Sequence, residues 1–174
     1  MSVLNILETD RLVLRRLTTD DAGFILDLLN QPSFLQFIGD KGVRTLAEAR
    51  HYILTQPVAS YERFGFGLYL TSLKDSGVRI GICGLIKRET LKDVDVGFAF
   101  LPQFWSQGYA FESASAVMAY GRSVLGMNRI VAITSPDNCA SIKVLEKIGL
   151  RFEERVQLSD GAAEVKLFAW DGSS

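Results

Sequence analysis

Two cysteines, Cys83 and Cys139, and one histidine, His51, are all the softer metal ligands in the 174 residues. Three such residues cannot complete a tetrahedral zinc site at any recognised spacing, so no metal is expected. Each thiol reads as a buried, unpaired small hydrophobe, and His51 as an ordinary structural residue. Charge of one sign is also missing. Nineteen Lys and Arg stand against 20 Asp and Glu, for a net charge of -1 and a pI near 5.9. The bases are scattered, which excludes the basic footprint of a nucleic-acid binder. Long apolar runs are absent: the longest are strand-sized, too short to span a membrane. The opening Met1-Ser2-Val3-Leu4-Asn5 has neither the basic segment nor the apolar stretch of a secretion signal, so a cytoplasmic protein is expected. Phosphate-binding signatures are missing as well. No G-x-x-x-x-G-K-[ST] occurs, and Leu70 stands where a Gly65-x-Gly67 dinucleotide fingerprint would need its third glycine.

Apolar residues are plentiful, at 48%. That supports a real core, and residues 1–174 read as one domain without linker or repeat. Residues 11–17 alternate, with Leu12 and Leu14 on one face and Arg11 and Arg15 on the other, and are expected to open the domain as a strand. Thr18-Thr19-Asp20-Asp21 then caps a helix carrying Ala22, Ile25, Leu26 and Leu29. Gln31-Pro32-Ser33 is expected to break it, and a second helix from about residue 45 to be disrupted or kinked at Pro57. Residues 65–73 and 79–88 form a predicted hairpin about Lys74-Asp75-Ser76-Gly77. Residues 93–101 alternate, with Val94, Val96, Phe98 and Phe100 on one face and Asp95, Gly97 and Ala99 on the other. A long helix follows, striped by Ala110, Ala114, Val117, Met118, Gly121 and Leu125. A strand at 129–134, a helix at 138–148 with Gly149 as its stop, and a hairpin of 151–158 with 163–170 complete the pattern. The order β-α-α-β-β-β-α-β-α-β-β implies an α/β (α+β) domain, a mixed sheet with helices on its faces.

The sharpest chemistry lies between Pro102 and Glu112. A strand ends at proline, and a glycine-containing loop leads straight into the long helix. Main-chain N–H groups of Ser106, Gln107, Gly108, Tyr109 and Ala110 are expected to lack intrahelical partners and to meet the positive end of the helix dipole, where a pyrophosphate fits. Gly108 permits close approach, and Ala110 keeps the first turn small. On local chemistry alone, an ordinary helix-start turn explains the stretch equally well.

Trp105-Ser106-Gln107-Gly108-Tyr109-Ala110 resembles the acetyl-CoA loop of the GNAT superfamily of N-acetyltransferases: Arg or Gln, two residues, Gly, one residue, then Gly or Ala. Trp105 replaces the first Arg or Gln, similar to the W-G-x-G-Y-A-x-E-A form of the ribosomal-protein-alanine N-acetyltransferase (RimJ/RimL-type) branch, and Ser106 departs from the glycine usual there. Glu8-Thr9-Asp10-Arg11-Leu12-Val13-Leu14-Arg15 resembles that branch's opening strand. Asn138-x-x-Ser141 with Leu145-Glu146-Lys147-Ile148-Gly149-Leu150 resembles its late helix. The likeness covers about residues 8–170. It implies a single mixed, mostly antiparallel sheet of about seven strands flanked by helices and splayed between the fourth and fifth. It also implies acetyl transfer from acetyl-CoA to a primary amine, foremost a protein or peptide N-terminus.

An amine attacks a thioester only when neutral, and free α-amino groups have pKa values near 8, so a proton acceptor helps. The family often places a carboxylate on the strand before the loop, and Asp95 lies there with only Gly97 and Ala99 beside it. A base acting through water, a site for the cationic amine and a solvated strand charge are its three readings. Glu112 reads as a dipole-stabilising residue, and Glu164 stays a further candidate. Many members use a tyrosine to protonate the departing thiolate. The matching position here, seven beyond Asn138, is Leu145, so that role passes by resemblance to Ser141, against a plain capping or surface serine. Asn138 caps the helix or contacts the pantetheine arm, and the main-chain groups of Phe98 and Phe100 are implied to pair with its amides. A small-molecule amine acceptor, with Glu153, Glu154, Asp160 and Glu164 as the acids that would attract it, and a non-catalytic acyl-CoA-binding domain are the rival readings. A homodimer is a further possibility.

Overall fold

The computed structural model describes residues 5–172; the first four residues, on which the expectation of no secretion signal partly rested, lie outside them. Eight strands form one sheet in the order β1-β2-β3-β4-β5-β6-β8-β7. β1 (Asn5–Glu8) and β2 (Leu12–Arg16) come first. The predicted opening strand is therefore second, and the short β1 added at the edge raises the count from about seven to eight. β1 escapes prediction because its four residues are too few to show a period. β3 (Leu68–Leu73), β4 (Arg79–Ile86) and β5 (Asp95–Phe100) continue the antiparallel run. β6 (Arg129–Thr134) pairs with β8 (Val165–Asp171), which carries β7 (Arg151–Val156) on its outer edge.

Between β1–β5 and β6–β8 stands the sheet's one parallel junction. Asp95 pairs with Val131, and Val131 N–H donates to Val94 O at 2.9 Å. No further register follows among the described residues, so β5 and β6 part beyond Asp95. With β1 left out of the count, this is the splay between the fourth and fifth strands that the resemblance implied.

Short helices cover one face. α1 (Ala22–Leu29) follows a 3-10 turn capped by Thr18, whose partner Asp21 reaches back to the cap N–H in a capping box. α2 (Pro32–Phe37) corrects the expectation that Pro32 only breaks a helix: its missing N–H costs nothing at the first helical position. α3 (Leu46–Ile53) runs through a π turn at Leu54–Val58 into α4 (Ala59–Phe64). Pro57 is absorbed there, because the wider turn spares the ring its clash with the carbonyl four residues back. Gly65, at φ 82°, ends α4, which is why β3 starts three residues later than expected.

The long helix α5 (Tyr109–Ser123) and α6 (Cys139–Lys147) cover the other face. The predicted stripe is buried as drawn, with Ala114, Val117, Met118 and Gly121 against β4 and β5, and Ala110 and Leu125 packed at its margins. Two apolar cores result. Leu12, Leu14, Cys83, Leu85, Val96 and Phe100 meet α5, while Leu70, Ile82 and Leu101 meet α1 and α3. β5 therefore turns Val96, Phe98 and Phe100 to one face and Asp95, Gly97 and Ala99 to the other.

Candidate active site

The loop after β5 takes the expected form. A 3-10 turn at Pro102–Phe104 ends β5, and α5 starts at Tyr109 with Gly108 as its N-cap, at φ 85°. No side chain caps that end, and among the described residues the N–H groups of Ser106, Gln107 and Gly108 donate to no other protein group. A 15-residue helix thus presents uncapped amides beside three more from the loop, a cradle for an anion. Ser106 is the only described non-glycine residue with positive φ, at 63°. A serine held there costs about 1–3 kcal/mol, which is why glycine is usual at this position. Trp105, 47% exposed, donates its indole N–H to Phe100 O at 2.9 Å and so ties the loop to the end of β5.

Arg11 braces the loop from behind. One Nη donates to Gln107 O at 3.0 Å, Nε donates to Glu112 at 2.7 Å, and the guanidinium lies over the Tyr109 ring at 4.5 Å. Glu112 also accepts from the Arg11 N–H and the Thr9 hydroxyl. Burial tends to raise its pKa, but these bonds win and hold it below the usual glutamate range. Glu112 is a strut between the β1–β2 turn and α5. Arg11 was visible in the sequence only as the polar face of a strand, since nothing local shows that residue 11 meets residue 107.

Along the split, hydrogen-bond alternation decides which amides are available. Leu101 N–H donates to Ile80 O, and Phe100 stands opposite Gly81. In an antiparallel ladder, Gly97 and Ala99 then turn their main-chain groups toward β4, whereas Phe98 and Phe100 turn theirs to the side from which β6 has diverged. Phe100 O accepts the Trp105 indole; the other groups face the split. Their partners are peptide-like amides, by the chemistry of the donors and acceptors.

On the far bank, Asn138 Oδ1 accepts from Ser141 N–H at 3.3 Å, so the side chain caps α6. Ser141 is half-buried, and its hydroxyl has no partner among the described residues. Leu145, one turn on, is 2% exposed in the core, which places Ser141 on the inward face of α6. Leu145 fills the tyrosine position as a packing residue. Cys139 corrects the expectation of two buried thiols: at the first residue of α6 it is exposed, and only Cys83 is buried.

Asp95 is not the solvated strand charge of its plainest reading. It is 1% exposed, and Oδ2 accepts from Arg88 Nε at 2.6 Å while Oδ1 has no partner. Burial pushes its pKa up, opposed by the charges of Arg88 and Lys87. Arg88 went unnoticed in the sequence, because a basic residue at the end of a strand is ordinary. The acidic hairpin does not converge on Asp95. Glu153 is paired with Arg129 on β6, while Glu154, Asp160 and Glu164 are exposed, Glu164 just before β8. Hollows of about 270 and 460 Å³ lie by β7 and β8, away from the loop and Asp95.

Comparison with known proteins agrees with this geometry: the model of the acetyltransferase (GNAT) domain matches residues 11–151. The chain belongs to the GNAT acetyltransferases. An uncharacterized N-acetyltransferase of Bacillus subtilis, YoaA, is 32% identical over 150 residues, 85% of this chain and 84% of that protein. The acetyltransferase of Agrobacterium tumefaciens superposes with a TM-score of 0.81 at 25% identity, covering 98% of this chain and 95% of that one. The ribosomal L7/L12 alpha-N-protein acetyltransferase RimL, solved with coenzyme A, shares the fold at 20% identity, with a TM-score of 0.81 over 97% of this chain and 98% of that one. This GNAT protein is thus an acyltransferase, an N-acetyltransferase by family and relatives. No described helix is long and apolar enough to cross a membrane, and no described cluster of His, Cys, Asp and Glu suits a metal ion.

Proposed function

We propose that residues 1–174 form one N-acetyltransferase domain that takes the acetyl group from acetyl-CoA and places it on a primary amine, foremost a protein or peptide N-terminal amine. The observation that carries this reading is continuity. Uncapped amides at residues 106–110 lead into the outward-facing main chain of Phe98 and Phe100, and the split ends where Asp95 holds a free carboxylate oxygen. Trp105, Ser106, Gln107, Gly108, Tyr109 and Ala110 hold the pyrophosphate by main-chain N–H groups, with Trp105 setting the loop. Phe98, Phe100 and Asn138 lie along the pantetheine arm. RimL's coenzyme A complex supports the same donor here.

The amine nitrogen attacks the thioester carbonyl, a C–N bond forms and the C–S bond breaks. Asp95, its Oδ2 occupied by Arg88, receives the amine proton on Oδ1 through water, and burial strengthens it as a base. Ser141 donates to the departing thiolate from the inward face of α6.

Free-thiol release from acetyl-CoA, measured against N-terminal peptides and small amines, tests the reading. Ser141→Ala and Asp95→Asn are expected to lower kcat by about 10²–10⁴-fold, the usual share of a positioned acid or base, with coenzyme A binding retained. Binding without turnover on any amine, in wild type and variants alike, would instead indicate a non-catalytic acyl-CoA-binding domain.

A further inference from the structure

Asp95 is the first residue of β5 and stands opposite Ile86, the last residue of β4. The turn that joins these strands carries the cation that meets it. Arg88 reaches across seven positions to donate Nε to Asp95 Oδ2 at 2.6 Å, and among the described residues neither Nη has a partner. Lys87 secures that turn: its ammonium donates to the carbonyls of Arg88 and Leu91 at 3.1 and 2.8 Å, so the backbone from which Arg88 reaches is held at two points. Burial divides unevenly across the pair. The Asp95 side chain is 1% exposed and that of Arg88 33%, so Arg88 keeps part of its length in water while delivering charge to a buried carboxylate.

Little else supports that carboxylate. Oδ1 is buried without a partner, and on the same face of β5 the space over Gly97 is taken by the apolar ends of Ile86 and Leu68. Asp93, two positions before Asp95, is bonded to Arg129. Burial raises the Asp95 pKa, the Arg88 charge and hydrogen bond oppose it, and the Lys87 charge adds a smaller opposing effect. The Arg88 charge also reaches Tyr52 on α3 and Lys41 in the segment between α2 and α3, and it lowers the pKa of each. In such surroundings a carboxylate without a counter-charge takes up a proton rather than staying ionised, and a protonated Asp95 has no base to offer an amine.

We infer that Arg88 is a positioning residue for acetyl transfer: it pins Asp95 by Oδ2, keeps the buried carboxylate charged, and leaves Oδ1 as the one oxygen that takes the amine proton through water. The inference rests on Asp95 acting as the base in the acetyltransferase reading above, and it names the group that lets Asp95 act.

The ionisation of Asp95 is the readout. Protein with isotope-labelled aspartate carboxyls is titrated by NMR as wild type, Arg88→Gln and Arg88→Lys, and Asp95→Asn identifies the Asp95 signal by its disappearance. Wild-type Asp95 is expected to be a carboxylate at about pH 7, Arg88→Gln to raise its titration midpoint by about 1–3 pH units, and Arg88→Lys to raise it less. Thiol release is followed with one acceptor amine throughout, so the ionisation of that amine cancels between variants. Below its raised midpoint, Arg88→Gln is expected to lose about tenfold in kcat/KM against wild type for each pH unit, and to recover above it. The Kd for coenzyme A is expected to stay that of wild type in each variant. An unmoved Asp95 midpoint in Arg88→Gln, a loss of rate that is the same at every pH, or a wild-type Asp95 still protonated at about pH 7 overturns the inference. The last of these needs no variant to fold. Asp95→Asn turning over like wild type overturns the base reading itself, and the inference with it.

Discussion

Replacing Gly108 by alanine perturbs the pyrophosphate loop through its backbone alone. Gly108 sits at φ 85°, where a β-carbon costs about 1–2 kcal/mol. The added methyl also approaches an Arg11 Nη to 3.2 Å, a flexible side-chain end that yields easily, so the dihedral dominates. Residues 105–108 are exposed, and the free loop can relax out of the left-handed conformation with little loss of packing. The penalty then falls on binding, which needs the loop in its cradle form, and the Kd for coenzyme A rises about 5–30-fold at 1.4 kcal/mol per factor of ten. Gly126→Ala is the matched control: it has φ 69° and open space about it, but stands at the far end of α5. There the same penalty appears in the fold, lowering Tm by about 2–8 °C, with the Kd unchanged. Ser106→Gly reverses the sign by releasing a serine from φ 63° and tightens binding. Isothermal titration with coenzyme A reads all three. Equal Kd values for wild type, Gly108→Ala and Ser106→Gly would refute the reasoning, as would weakened binding by Gly126→Ala.

Two further predictions concern buried groups. Asp21, 1% exposed, accepts from Arg15 twice, at 2.8 and 2.9 Å, and from Thr18 N–H, with Arg79 at 3.2 Å, so Asp21→Asn strands Arg15 and costs about 3–5 kcal/mol in denaturant unfolding. Burial alone would raise the Asp21 pKa, but the Arg15 and Thr18 bonds outweigh it and lower it below the ordinary 3.8; the carboxylate's stability is therefore present above about pH 4 and lost as pH falls through the folded pKa, where the gap between wild type and variant should close. Cys83 is buried, with its thiol pushed up to about 12 by desolvation, while Cys139 is exposed, so a maleimide should label one thiol quickly in the native protein and the second only on unfolding. Rapid labelling of both would contradict the placement of Cys83.

Periodicity alone determined β2, β5 and the buried stripe of α5, because apolar spacing reports which face an element buries whatever it packs against. The loop was legible for a related reason: its binding groups are main-chain amides, and Gly108 before an apolar helix sets them locally. Leu145 likewise announced the missing tyrosine. What the sequence could not determine depends on distance along the chain. Arg11 meets Gln107 and Glu112 about a hundred positions away, and Arg88 meets Asp95 across a turn, so neither partner marks the other. Asp95 looked like one charge on a bare strand face; only the folded chain buries it, pairs one oxygen with Arg88 and leaves the other buried without a partner. The divergence of β5 from β6 was likewise decided in three dimensions. Which amides of Phe98 and Phe100 stay free follows from the register with β4 and from where β6 departs, and pairing between strands is a property of the assembled sheet.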